Sequence, residues 1–154
     1  MRTSVDTNVL SAIWGAEAGA YALAHLLIKL QADGPIVICA PVWVELAARP
    51  GMDVATLDTM LTEARVEIDF DLPRPVWAAA SQAYAAYILR RRQSGGSPPR
   101  QRLADFVIGA HAATKTGRLV SGDARFFREV FPGLEVIVPA ATDVRHENLR
   151  SNPK

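Results

Sequence analysis

Gly34-Pro35-Ile36-Val37-Ile38-Cys39-Ala40-Pro41-Val42-Trp43-Val44-Glu45-Leu46 is the stretch on which the reading of the fold turns. A short run rich in β-branched residues, Ile36–Cys39, follows a Gly-Pro punctuation and reads as a strand. Pro41 suits a first helical position, and the helix that it opens, Pro41–Arg49, is stopped by Arg49-Pro50-Gly51. A strand therefore passes almost directly into a helix. The pattern repeats on either side. Ser4-Val5, Val66-Glu67-Ile68, Leu119-Val120-Ser121 and Glu135–Val138 read as further strands, and Ala16–Gln31, Val54–Arg65, Arg74–Gln93, Leu103–Thr116 and Ala124–Val130 as further helices. Such alternation predicts an α/β fold with a parallel sheet and helices on both faces. Gln93–Pro99 reads as a flexible surface loop, and Ala140–Lys154 as a polar, unpatterned tail behind a single domain spanning residues 1–139.

The chain has 154 residues, 49% of them hydrophobic and 21% charged, which suits one domain with a sizeable core. Net charge is only +1, so neither a disordered chain nor a general nucleic-acid coat fits. The most apolar stretch, Ala16–Leu30, is broken by Glu17, His25 and Lys29, which excludes a membrane span there. The N-terminus lacks the apolar region of a signal peptide, and one cysteine, Cys39, permits no internal disulfide and no cysteine-rich zinc site. A soluble, cytoplasmic protein is expected. Its charge is uneven, because Arg90, Arg91, Arg92, Arg100 and Arg102 fall within one stretch that holds no acid.

Most of the 16 acids stand in polar or turn contexts. Three interrupt apolar runs: Asp6 in Val5–Leu10, Glu45 in Val42–Leu46 and Asp105 in Leu103–Ile108. A carboxylate among residues bound for the core faces a desolvation cost and needs a partner or a task. Asp123 directly follows the fourth strand. Asp6 ends the first strand, and Glu45 and Asp105 are expected in the first turns of their helices. All four thus belong to the carboxyl edge of the sheet, where open α/β folds place their sites. Taken singly, each acid also suits a helix cap, a helix dipole or a turn. Together, their mutual repulsion calls for a cation, and an all-oxygen set suits Mg²⁺ or Mn²⁺. His111 is turned away from Asp105 on the same helix, and His25 and His146 have structural or surface contexts. Thr7, Asn8 and Ser121 are short hydrogen-bonding residues suited to orienting the acids. A divalent ion so held generates hydroxide and stabilises phosphoryl charge, and nearby arginines suit a phosphodiester backbone. A metal-dependent nuclease uses both features.

Val5-Asp6-Thr7-Asn8-Val9-Leu10, the Glu45 helix, Asp105–Ala112, and Ser121-Gly122-Asp123 with Phe126-Phe127 resemble the PIN-domain ribonucleases, and the compact size resembles their VapC-type toxins. The likeness covers about residues 1–139. It implies an α/β/α sandwich with strand order 3-2-1-4-5. It also implies a Mg²⁺- or Mn²⁺-dependent endoribonuclease, commonly a homodimer, silenced by a VapB-type antitoxin. Asp6, Glu45, Asp105 and Asp123 would then be metal ligands, supported by Thr7, Asn8 and Ser121. Ser121 stands where the family often carries Thr, and the hydroxyl is kept. The alternative is a non-catalytic PIN-fold module that binds RNA or protein. A haloacid-dehalogenase-like phosphatase would want a second Asp where Asn8 stands, and a receiver-like domain would want adjacent acids at the end of the first strand.

Overall fold

In a computed structural model, residues 1–95 and 102–139 are described. Five strands, β1 (Thr3–Val5), β2 (Ile36–Cys39), β3 (Val66–Asp69), β4 (Arg118–Val120) and β5 (Glu135–Ile137), form one sheet in the order β3-β2-β1-β4-β5. Every pairing is parallel, with Thr3 opposite Ile36, Ser4 opposite Leu119, Ile36 opposite Val66 and Arg118 opposite Glu135. Among the described residues, seven α-helices join them: α1 (Thr7–Trp14), α2 (Ala20–Gln31), α3 (Ala40–Ala47), α4 (Val54–Glu63), α5 (Arg74–Gln93), α6 (Leu103–His111) and α7 (Ala124–Val130). From β1 the chain steps outward through β2 to β3, then returns past β1 to β4 and β5. Right-handed crossovers therefore put α1–α4 on one face and α5–α7 on the other. The predicted α/β/α sandwich and its strand order hold.

β2 is buried along its whole length, as a central parallel strand between two helical layers must be. The core around it includes Leu10, Leu46, Leu57, Phe106, Ile108, Leu119 and Phe127. The aromatic side chains of Tyr84, Tyr87, Phe106, Phe126 and Phe127 form a run of edge-to-face contacts that fastens α5, α6 and α7 together beneath the carboxyl edge. Among the described residues, no helix is long and apolar enough to cross a membrane.

The structure differs from the sequence reading at the front of the chain. The helix expected over Ala16–Gln31 is α2, which starts at Ala20, and an unexpected helix, α1, precedes it. Asp6 caps α1 by accepting the Thr7 N–H, α1 closes at Gly15, and left-handed backbone at Ala16 (φ 50°) and Gly19 (φ 87°) turns the chain into α2. The helix expected over Leu103–Thr116 is α6 followed by a π-turn, Ala112–Thr116, closed by Gly117 at φ 74°. That widened turn carries His111 and Thr116 to the Ser4 hydroxyl.

Candidate active site

The β1–α1 junction builds the floor of the site. Asp6 is 4% exposed, and each of its oxygens is committed. Oδ1 accepts from the Thr7 N–H (2.7 Å), while Oδ2 accepts from the Ser121 hydroxyl (2.7 Å) and the Asn8 amide (2.8 Å). Asn8 also accepts from the Gly122 N–H (3.0 Å), and Ser121 Oγ accepts from the Asp123 N–H (3.0 Å). These bonds lace the turn after β1 to the turn after β4, adjacent strands whose carboxyl ends diverge at the switch point. Thr7 donates its hydroxyl to Glu45, which ties α3 to the same turn. The three short polar residues named from the sequence thus touch Asp6, Glu45 or the Asp123 backbone.

Each remaining acid arrives on its own element. Asp105 stands in the first turn of α6 and accepts from the Arg102 N–H (2.9 Å), closing a capping box. Asp123 caps α7 through the Phe126 N–H (3.4 Å). Glu45 is the sixth residue of α3, which begins at Ala40 and holds no acid in its first turn. It therefore stands in the second turn, and not in the first as the sequence reading had it, since even a start at Pro41 would make it the fifth residue. Asp6, Glu45, Asp105 and Asp123 line one pocket of about 360 Å³, together with Thr7, Asn8 and Arg102.

Electrostatics mark this pocket. Burial raises the Asp6 pKa from 3.8 to about 6; hydrogen bonds from Ser121 and Thr7 work against that rise, and the Asp105 and Glu45 charges add to it. Burial also raises Asp105, with Glu45 and Asp123 contributing. The donor set is all oxygen, the kind that suits a hard divalent cation. Among the described residues, no group of three or more His, Cys, Asp or Glu side chains is arranged to hold an ion as it stands. Hydrogen bonds to Thr7, Asn8, Ser121 and Arg102 occupy oxygens of Asp6, Glu45 and Asp105.

A second, larger pocket of about 660 Å³ adjoins the first, and Asp123 lines both. Of the arginines named from the sequence, Arg90 and Arg91 line the larger pocket, and Arg102 lines the carboxylate pocket. Arg92, on α5, lines neither. Arg100 lies outside the described residues, as do the 140–154 tail and most of the Gln93–Pro99 loop. Arg125, on α7, completes the basic wall and was missed by the sequence reading. It stands outside the arginine cluster, two residues after Asp123, and that nearness was the available signal.

The remaining reactive side chains have structural settings. His111 is fully buried, sharing hydrogen bonds with Ser4 Oγ (3.3 Å) and Asp69 Oδ2 (3.2 Å). Burial pushes the Cys39 thiol up to about 12, far from a reactive thiolate. His25 lies exposed beside Tyr21, and His146 is outside the described residues.

The PIN domain family model matches residues 4–130. Among solved structures, the chain is similar to one in the crystal structure of VapBC2 from Rickettsia felis bound to a DNA fragment from their promoter. The TM-score is 0.58 at 23% identity, over 90% of this chain and 98% of that one. At that identity the likeness is one of fold. No curated protein gives a significant match.

Proposed function

Because the chain belongs to the PIN-domain family, we propose that its carboxylate pocket is a Mg²⁺- or Mn²⁺-dependent endoribonuclease site, and that the chain acts as the toxin of a VapBC-type toxin–antitoxin pair. One observation carries the reading. Acids from the ends of β1 and β4 and from α3 and α6 line a single pocket in which Asp6 is driven up to about 6. Four acids that share their pocket, among the described residues, with one arginine, Arg102, fit a bound cation better than they fit a folding role. Asp6, Glu45, Asp105 and Asp123 would hold the ion, which when bound supplies a lowered water pKa and charge stabilisation at phosphorus.

The chain's own residues do the rest. Ser121 and Asn8 fix the Asp6 carboxylate from one side and the Thr7 N–H from the other, so its orientation is set before any ligand arrives. Thr7 does the same for Glu45. Arg102 at the rim of the carboxylate pocket, with Arg90 and Arg91 in the adjoining one, provides positive charge for the RNA backbone. The reaction needs no covalent nucleophile from the protein. Asp6→Asn and Asp105→Asn should each lower RNA cleavage at least a hundredfold while leaving a folded protein. Wild-type cleavage rates in both variants would refute the site.

A VapB-type antitoxin is the proposed partner, with a homodimer as the proposed assembly and the cytoplasm as the place of action. The likeness to a VapBC2 chain supports the partner. So does the groove of about 430 Å³ bounded by α1, α2 and the α4–β3 junction, lined in part by Ile28, which is 63% exposed. We assign the functional unit to residues 1–139, since the family match and the last strand both end within them. A non-catalytic PIN-fold module that binds RNA or protein is the second reading. It draws on the absence, among the described residues, of a ready arrangement of three ligands. Divalent-dependent cleavage that Asp6→Asn abolishes decides against it.

A further inference from the structure

We propose that the larger pocket is a nucleotide subsite for unpaired RNA, in which Tyr87 and Arg91 receive a base while Arg90 and Arg125 hold the flanking phosphates. This deepens the ribonuclease reading and rests on it. At about 660 Å³ the pocket falls in the roughly 300–1,000 Å³ range of small-ligand sites. Asp123 lines both pockets, so a strand with its scissile phosphate among the carboxylates has this pocket within reach of its neighbouring nucleotide.

The lining has two chemistries. Arg90 and Arg125, from α5 and α7, bring positive charge from two sides. Between them lies Tyr87, half-buried, with the buried Phe126 packed edge-on against its ring. Both residues line the pocket, and the Arg91 guanidinium carbon sits 5.8 Å from the Tyr87 ring centroid, a cation–π distance. Bases splayed out of a single strand stack on aromatic rings and guanidinium planes, whereas bases inside a duplex present neither face. An acidic peptide would use the arginines alone and leave the rings without a role. Arg90 is half-exposed and pairs with Glu129 at 3.7 Å, an exposed ion pair of the weak kind that a phosphate readily replaces.

The test reads binding, not cleavage. A short, unstructured, fluorescently labelled RNA is titrated with the protein in EDTA, by anisotropy, at several salt concentrations. Arg90→Gln and Arg125→Gln should each weaken binding about threefold to tenfold and flatten the log–log salt slope by about 0.7 for every phosphate that is no longer neutralised. Tyr87→Leu should weaken binding with the slope unchanged, and Tyr87→Phe should restore it. Tyr87 also packs against Phe106, so the arginine variants keep the test decisive if Tyr87→Leu fails to fold. Arg74→Gln, at the far end of α5, should bind as wild type, and the same RNA in a duplex should bind at least tenfold more weakly. Wild-type affinity in both arginine variants, or equal binding of duplex and single strand, overturns the subsite. Binding that follows this pattern in a protein that cleaves nothing with Mn²⁺ would refute the nuclease reading and leave the subsite standing.

Discussion

Asp6 is the one buried acid of the four. Its folded pKa of about 6 lies above the ordinary 3.8, so the folded state binds the proton more tightly than the unfolded chain. The stability this contributes is fully present below about pH 3.8 and lost as pH rises through about 6. In metal-free buffer, Asp6→Asn should therefore gain on wild type as pH rises, by up to about 3 kcal/mol at pH 8, at about 1.36 kcal/mol for each tenfold difference in proton affinity between the folded and unfolded states. His111 works the other way. Burial lowers its pKa despite Asp69, so its stabilising share is present above about pH 6.5 and fades as pH falls. Melting wild type and Asp6→Asn side by side across pH cancels the His111 part, and parallel curves would contradict the assignment. Asp6, Glu45 and Asp105 were legible because a carboxylate inside an apolar run is a local anomaly, and Asp123 because it directly follows a strand. Asn8 and Ser121 were legible as short hydrogen-bonding residues beside the acids, but that Ser121 reaches Asp6, 115 positions away, comes from tertiary packing, and Arg125 offered only its nearness to Asp123.

Elements were legible where one signal dominated. α5 and α7 begin and end as the sequence reading placed them, and β2 does too, since Gly34-Pro35 and Pro41 bracket it. α1 was missed because Val5–Leu10 reads as one apolar run, although Asp6 is both the end of a strand and the cap of a helix. The π-turn after α6 has no sequence signature of its own, since its residues suit a continuous helix. Gly109 shows how tightly α6 is seated: a Cβ there would lie 2.2 Å from the Phe131 ring, itself buried. Gly109→Ala should gain about 1 kcal/mol of helix propensity and lose more to overpacking, typically about 1–3 kcal/mol and here at the upper end. In urea its midpoint should fall with the slope of the transition unchanged. A midpoint at or above wild type would show that Phe131 moves aside freely.

Across the whole molecule, topology makes one site from residues distant in sequence. All five strands are parallel, so their carboxyl ends share an edge, and the helices that follow begin there. Asp6 and Asp123 become neighbours only because β4 pairs with β1, a pairing that no local pattern contains. The alternation of strands and helices gave the layers, and the family resemblance gave the strand order. The aromatic contacts joining α5, α6 and α7 then hold the basic wall against the carboxylate pocket. Saturating divalent ion should stabilise such a protein, by about 2.7 kcal/mol at a hundredfold excess over Kd, and EDTA should reverse the shift. The most direct test is to follow free Mn²⁺ by electron paramagnetic resonance while titrating wild type, Asp6→Asn and Asp105→Asn. Wild type should remove Mn²⁺ from solution with each carboxamide variant binding at least tenfold more weakly, whereas equal uptake by all three would show that these carboxylates do not form the ion's site.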